Sequence, residues 1–175
     1  MLFQRAVYPE SQFEKKSQYG ATMMVTKDQQ LRDYLQNVLQ QVEVWARQGD
    51  LQQLVLVITS VQTQEPLERW VFNVETARDE GGRVVEEAAQ TDDKELKREI
   101  GAIIRQITSS VTFLPYLEER CSFDLLVYTS GGAEVPITWE NSDPRHIRNA
   151  QKVQLRGFNT GIHQVGTSVA YRGDD

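Results

Sequence analysis

Cysteine and histidine are the side chains best suited to nucleophilic catalysis, and this chain has one cysteine, Cys121, and two histidines, His146 and His163. A thiol beside an imidazole can form a nucleophile and its base. However, no catalytic signature surrounds Cys121, and no CxxC or HxxxH spacing indicates a zinc site. We interpret Cys121 as a half-buried structural thiol, and a thiol enzyme built on it remains the catalytic alternative.

Paired carboxylates are a second possible source of acid–base chemistry. The three adjacent pairs are Glu86-Glu87, Asp92-Asp93 and Glu118-Glu119. They fall in a predicted loop, at a helix start and after a helix end, so solvated charge is favoured over facing groups in a cleft. Gly131-Gly132 lacks the flanking residues of a phosphate-binding loop and is predicted to form a hairpin turn. The sequence therefore predicts a protein without catalytic activity, cofactor or metal.

Length and charge restrict the class of protein further. The 175 residues suit a single domain over 1–175, and 39% hydrophobic with 25% charged residues is ordinary for globular chains. The net charge of −6 disfavours direct nucleic-acid binding. A single cysteine fits a reducing compartment, and no apolar run long enough for a signal peptide or membrane span is present. We expect a soluble protein of the nucleus and cytoplasm.

Two amphipathic helices are predicted from apolar residues that recur at spacings of three and four. The first has Leu31, Tyr34, Leu35, Val38, Leu39, Val42, Trp45 and Ala46 on one face. Thr26 with Gln29 resembles its capping box, and Gly49 is its expected stop. The second has Leu96, Ile100, Ile103, Ile104, Ile107, Val111 and Leu114 on one face and is expected to end at Pro115. Asp92 and Asp93 suit the positive end of its dipole.

Strands are predicted between and after the helices. The continuous apolar run over 54–58 is typical of a strand covered on both faces, whereas 69–74 alternates and is predicted to be half-buried. Glu65-Pro66 is the expected turn between them, and 123–128 is a third strand. A charged segment over 75–91 with Gly81-Gly82 is predicted to be a surface loop.

The C-terminal quarter lacks a helical period. Two weak strands over 152–158 and 163–171, joined by Asn159-Thr160-Gly161, are predicted there. Gly and Ser interrupt their alternation, so their pairing register is weakly specified. Such a segment is either an ordinary edge hairpin, which periodicity alone favours, or a movable one.

Short motifs spread over nearly the whole chain resemble the spindle-checkpoint branch of the HORMA-domain family. They are Tyr8-Pro9, Tyr19-Gly20, Leu67–Trp70, Ile104–Thr108, Val111–Pro115, Cys121–Leu126, Val135-Pro136, Trp139-Glu140, Ile162-His163 and Val169–Tyr171. Each motif alone is weak, but their common order makes the resemblance specific. It implies an α+β fold in which three helices pack on an antiparallel sheet, followed by a mobile C-terminal safety-belt hairpin.

The resemblance implies that the belt spans 131–175 and closes over a partner peptide. The peptide would add as a strand beside Phe123, Asp124, Leu125, Leu126, Val127 and Tyr128, with Trp70 supporting the belt. The implied belt contacts are Trp139, Phe158, Ile162, His163, Val169 and Tyr171. A dimer surface is implied at Arg105, Gln106 and Phe113, all of which leave the apolar stripe of the second helix and should be exposed.

The function implied is that of a checkpoint adaptor at the kinetochore in mitosis. Its expected partners are a checkpoint scaffold peptide and the activator of the anaphase-promoting complex. An open and a closed copy would dimerise, and an AAA+ remodelling ATPase would act through a HORMA adaptor. An adaptor of the translesion-polymerase or meiotic-axis type is the alternative within the family.

The resemblance begins at Leu2–Arg5, which in the family lies at the end of the first long helix. The preceding strand and most of that helix have no counterpart here, and the chain is slightly shorter after Tyr171. Because the helix occupies the centre of the family fold, we expect the isolated chain to expose apolar surface and to be marginally stable.

Overall fold

A computed structural model describes residues 1–85 and 92–173. Two α-helices and eight strands form the described part. In chain order they are β1 Phe13–Gln18, β2 Ala21–Thr26, α1 Gln29–Gln48, β3 Leu51–Ser60, β4 Pro66–Thr76, α2 Asp93–Ser109, β5 Cys121–Thr129, β6 Ala150–Gln154, β7 Phe158–Asn159 and β8 His163–Arg172. Short 3-10 turns lie at Glu10–Gln12 and Ser110–Thr112.

Both predicted helices are confirmed, but two of their ends are corrected. The N-cap of α1 is Asp28, whose carboxylate accepts from the Leu31 N–H at 2.7 Å. Thr26, the predicted cap, instead accepts from the Asp28 N–H at 3.1 Å. Gly49 ends α1 in the left-handed conformation at φ 75°, as predicted.

Helix α2 begins after Asp92, whose side chain caps it, but it ends earlier than its apolar stripe predicts. The chain leaves the α-helix at Ser109 and tightens into a 3-10 turn, where the Ser110 hydroxyl donates to the Ile107 carbonyl at 2.6 Å. A serine that bonds the preceding turn competes with helical pairing. Val111 is consequently exposed, whereas Leu114 turns back into the core.

The main sheet is antiparallel, with the order β5-β3-β4-β8-β6 and with β7 paired to one part of β8. The β3–β4 hairpin is present, but its turn lies over 61–65, and Pro66 of the predicted turn already begins β4. Strand β3 is covered on both faces, as expected. Strand β4 is buried over Leu67–Val71 and not half-buried, because its second face is also covered. The residues predicted as one strand over 152–158 are split into β6 and β7, between which Leu155 turns inward to the core.

The two faces of the sheet carry separate apolar clusters. The helix face holds a large cluster with Leu56, Ile58 and Trp70 from the central strands, and Val169 from β8. The opposite face, called the reverse face below, holds a small cluster of Val55, Val57 and Val71. Val55, Val57 and Trp70 are fully buried, and Val71 is nearly so.

Two N-terminal features complete the core. Arg5 and Glu68 form a buried ion pair on the helix face, with the Arg5 Nε donating to Glu68 Oε1 at 2.7 Å. The Trp70 indole donates to the other Glu68 oxygen at 3.1 Å. The β1–β2 hairpin, which sequence periodicity did not predict, turns through Tyr19-Gly20 with both φ angles positive and packs on α2.

No helix in 1–85 or 92–173 has the length and apolar character to span a membrane. The predicted surface loop over 75–91 includes an isolated bridge between Arg78 and Val84, and its last six residues lie outside the described ranges, as does Glu86-Glu87.

Candidate functional site

Strand β5 is an edge strand, paired to β3 on one side only. The Val61 N–H donates to the Arg120 carbonyl at 2.9 Å, which fixes the phase of the β3–β5 hydrogen bonds. Because hydrogen-bonded and non-bonded positions alternate in antiparallel pairs, even-numbered residues of β5 bond inward to β3. The N–H and C=O groups of Phe123, Leu125 and Val127 therefore point outward from the sheet edge.

Residues 131–149, called the crossing segment below, pass over this edge. They contain no helix or strand. The predicted turn at Gly131-Gly132 is present at the start of the segment, but it does not join two strands of a hairpin. Their backbone-to-backbone hydrogen bonds within the described chain are local, from Ala133 to Ser130 and from Trp139 to Pro136. Side chains of the domain body must therefore hold the segment in place.

A channel lies between the β5 edge, α1 and the crossing segment. Its inner part is a cavity of about 300 Å³ bounded by Trp45, residues 125–129 and residues 139–144. Its outer part is a groove of about 790 Å³ between α1 and residues 136–140. Leu125, Trp139 and Glu140 line both parts, so the two volumes adjoin each other.

Two tryptophans hold the crossing segment on the helix face. The Trp45 indole of α1 donates to the Glu134 carbonyl at 3.0 Å. Its ring meets that of Trp139 edge to face, with centroids 4.9 Å apart. Trp45 is buried because the apolar stripe of α1 faces the sheet.

The other end of the crossing segment is held on the reverse face. Arg69 of β4 donates from Nε to the Pro144 carbonyl at 3.1 Å and from Nη2 to the Tyr128 hydroxyl at 2.9 Å. A neighbouring and more exposed pair joins Arg145 to Asp124 at 3.4 Å. The crossing segment thus wraps around the β5 edge from one sheet face to the other.

Three aromatic rings close the channel near the start of β5. Phe123 is met edge to face by Tyr34 at 6.0 Å and by Tyr8 at 6.1 Å between centroids. Burial raises the pKa of Tyr34, and the nearby Asp124 carboxylate raises it further, against a smaller opposing effect of a hydrogen bond with the Leu125 backbone. The phenol is thus kept protonated beside one of the outward backbone groups.

The predicted peptide-site residues separate into three locations. Phe123, Leu125 and Val127 carry the outward backbone groups, while Asp124, Leu126 and Tyr128 project onto the reverse face. Trp70 lies two strands away, fully buried opposite Val169, and does not line the channel.

Among the predicted belt residues, only Trp139 lines the channel. The other five belong to or adjoin the β7–β8 part of the sheet, where Val169 and Tyr171 are buried. The His163 imidazole lies 2.9 Å from the Ala46 carbonyl at the end of α1, and the Ile162 carbonyl accepts from the Ala77 N–H. Phe158 is half-buried in β7.

The predicted dimer residues lie on α2 and the turn after it. Arg105 is exposed and donates to the Gly20 carbonyl at 3.1 Å, and Phe113 is also exposed. Gln106 is half-buried and not exposed as expected, because its side chain accepts from the Arg156 N–H at 2.7 Å.

The structure does not bring the Cys121 thiol and the His163 imidazole together. Cys121 begins β5 beside Ser60, whereas His163 lies opposite Thr76 at the other end of the sheet. Burial raises the pKa of the Cys121 thiol, and the Glu119 carboxylate adds to this effect. A thiol with a raised pKa is a poor nucleophile near neutral pH. Across the described ranges, no three metal-binding side chains cluster together.

Sequence reasoning missed two residues that line the channel, Trp45 and Tyr34, and one that holds its walls from behind the sheet, Arg69. Both aromatic residues were assigned to the apolar stripe of α1, and Arg69 to the exposed side of β4. The available signal was an arginine next to Trp70 and on the same strand face as Val71, since burial of these residues implies that something covers the arginine.

Comparisons with known proteins agree with this geometry. The HORMA domain model matches residues 1–163. The "Mitotic spindle assembly checkpoint protein MAD2A" of Dictyostelium discoideum is 54% identical over 172 residues, covering 98% of this chain and 83% of the relative. A chain of the "Crystal Structure of Mitotic Checkpoint Complex" superposes with a TM-score of 0.88 at 42% identity, covering 98% of this chain and 90% of that one. The C. elegans HTP-1 chain bound to the HIM-3 closure motif shares the fold, with a TM-score of 0.76 at 15% identity, covering 97% and 83%.

Proposed function

Because this chain belongs to the HORMA-domain family, with mitotic spindle checkpoint proteins among its relatives, we propose that it is a spindle assembly checkpoint adaptor. It acts by binding a peptide segment of a partner and has no catalytic activity. The observation that carries the proposal is the unpaired edge of β5 beneath the crossing segment. Outward N–H and C=O groups at an edge are satisfied when an extended peptide adds as a further strand.

The position of the C-terminal strands supports peptide capture. Strand β8 pairs with β4, on the far side of β3 from β5, so it does not compete for the edge where a peptide would bind. We propose that this is the closed arrangement of the belt over 131–175. In it, Trp70 supports the belt by packing in the cluster that contains Val169, while the channel itself is lined by Trp45 and Trp139.

The partners that fit this proposal are a kinetochore scaffold and the activator of the anaphase-promoting complex. Each would supply an extended segment that pairs with residues 123–128 and places alternate side chains into the channel. The enclosing crossing segment explains why such a segment must be flexible, because it has to thread beneath a covalently continuous chain. The protein would act at the kinetochore in mitosis and reside in the nucleus and cytoplasm.

A second surface on α2 would serve dimerisation of open and closed copies. Arg105 and Phe113 are exposed there. Exposed arginine and aromatic side chains are the types that contribute most at protein interfaces. Remodelling by an AAA+ ATPase through a HORMA adaptor would return the closed copy to the open state.

Two labelled peptides test the assignment, one with a checkpoint-type motif and one with a translesion-polymerase-type motif. Fluorescence anisotropy should show saturable binding of the first and much weaker binding of the second. Hydrogen exchange should show added protection at the Phe123 and Val127 amides, while the Leu126 amide, already bonded to β3, and the Leu125 amide, already bonded to Tyr34, change little. Preference for the polymerase-type peptide would favour the alternative HORMA adaptor. Protection elsewhere would remove β5 as the binding edge.

A further inference from the structure

Arg69 is a buried cation on the reverse face of the sheet. Its side chain is only 8% exposed, on a central strand beside the Val55, Val57 and Val71 cluster. In the part of the chain that is described, no carboxylate lies within 4.0 Å of its guanidinium. Its acceptors are neutral, namely the Pro144 carbonyl and the Tyr128 hydroxyl, and its guanidinium carbon lies 5.8 Å from the Tyr128 ring centroid.

Burying a charge without an opposite charge is unfavourable for folding. An arginine at such a position therefore requires an explanation beyond core packing. The two acceptors supply it, because they belong to the two walls of the inner channel. Tyr128 lies on the edge strand and Pro144 lies on the crossing segment, and both line the cavity of about 300 Å³. Arg69 joins these walls from behind the sheet.

The crossing segment is held at two carbonyls by donors from opposite sheet faces. The Trp45 indole bonds the Glu134 carbonyl at 3.0 Å on the helix face, and Arg69 bonds the Pro144 carbonyl at 3.1 Å on the reverse face. The backbone-to-backbone hydrogen bonds of the segment are all local among the described residues. Lifting it from the edge would thus break the Arg69–Pro144 bond before water can replace the lost acceptor, which adds to the barrier.

We propose that Arg69 is a positioning residue that pins the crossing segment and sets the rate at which a peptide enters and leaves the channel. The inference rests on the proposed peptide-binding function. Arg69 does not line the cavity itself, so the pin can form whether or not a peptide occupies the channel. Because it must break for passage in either direction, it raises the barrier to both steps and has little effect on the equilibrium between them.

Stopped-flow fluorescence of the full chain with the labelled checkpoint-type peptide tests the pin. Arg69→Met keeps a long apolar stem without donors, and loss of one charge-assisted bond should raise both the association and dissociation rates about tenfold, with Kd changed less than about threefold. Arg69→Lys, which keeps the charge and one donor, should restore part of the slow kinetics. Thermal melting identifies a variant that is not folded, in which case the Lys variant decides.

Arg148→Gln is the matched control, because it removes an exposed arginine from the same segment. Both rates should then stay within about twofold of the wild-type values. Unchanged rates in folded Arg69 variants, or a faster dissociation alone with a proportionally higher Kd, would overturn the pin. If the wild-type chain binds no peptide, the proposed function fails and the pin fails with it. If it binds with rates indifferent to Arg69, only the pin fails.

Discussion

A proline at Val127 would test whether a partner peptide pairs with the outward groups of β5. The Val127 N–H points away from β3, so proline there removes no hydrogen bond of the existing sheet. The ring would instead occupy the space into which an added strand must donate and accept. The fold should therefore survive, whereas peptide binding should not.

The size of the effect follows from the register. An added strand can exchange two hydrogen bonds with each of Phe123 and Val127, whereas the Leu125 N–H already bonds the Tyr34 phenol and only its carbonyl is available. Proline at 127 removes the donor and displaces the partner of the adjacent carbonyl, so two of these bonds are lost. At about 1 kcal/mol each, the loss is about 2 kcal/mol, or roughly a 30-fold increase in Kd.

Two control variants separate this effect from general damage. Val127→Ala shortens the side chain but keeps the N–H, so Kd should rise far less. Leu126→Pro removes an inward N–H bonded to β3 and a side chain in the reverse-face cluster, and should destabilise the domain by about 3 kcal/mol or more. Anisotropy titration gives Kd, and urea unfolding gives the free energy. Binding by folded Val127→Pro with wild-type Kd would refute pairing at this edge.

Four further substitutions address other parts of the molecule. Trp45→Phe should lose the bond to the crossing segment and leave a small cavity, raising peptide Kd about fivefold in anisotropy titrations and lowering the melting temperature moderately. Cys121→Ser should bind normally, and because burial raises the thiol pKa, wild-type alkylation should be slow at pH 7 and accelerate only in strong alkali; rapid labelling at neutral pH contradicts this. Arg105→Ala should weaken self-association in sedimentation velocity without unfolding; an unchanged profile counts against the α2 surface. Glu68→Gln should lower the free energy of unfolding in urea by about 3–5 kcal/mol, since Arg5 would stay buried without its charged partner. A decrease below about 1 kcal/mol would contradict a stabilising role of the buried ion pair.

Local patterns in the sequence were sufficient to predict the elements that are marked by one apolar helix face or by one continuous apolar run. The α1 stripe ends in the buried Trp45, and the continuous run in β3 is covered on both faces. The β1–β2 hairpin escaped prediction because β1 has one buried residue in six, so no alternation marks it. Its turn at Tyr19-Gly20 was the only local signal, and glycine after an aromatic residue is common in many turns.

The channel could not be derived from spacing, because its walls come from distant parts of the chain. Trp45, Leu125 and Trp139 meet only after the crossing segment has wrapped around the β5 edge. The alternation of its strand predicted that Arg69 is exposed to solvent. Its hydrogen bond to the Pro144 carbonyl shows that the crossing segment covers this part of the reverse face. Periodicity reports whether a residue is buried in its own element, and it carries no information on which remote segment covers that element.

The pairing of β8 with β4 could not be predicted from the sequence either. The buried stretch of β8 carries Thr167 and Ser168, and neither hydroxyl has a hydrogen-bond partner within the described residues. Each unsatisfied hydroxyl costs about 1–3 kcal/mol, which the nine-residue ladder to β4 and the core packing of Val169 and Tyr171 must offset. Backbone pairing specifies neither register nor neighbour as strongly as side-chain packing does. A strand attached in this way is less firmly committed to β4 than an all-apolar strand would be, which is the property that a releasable belt requires.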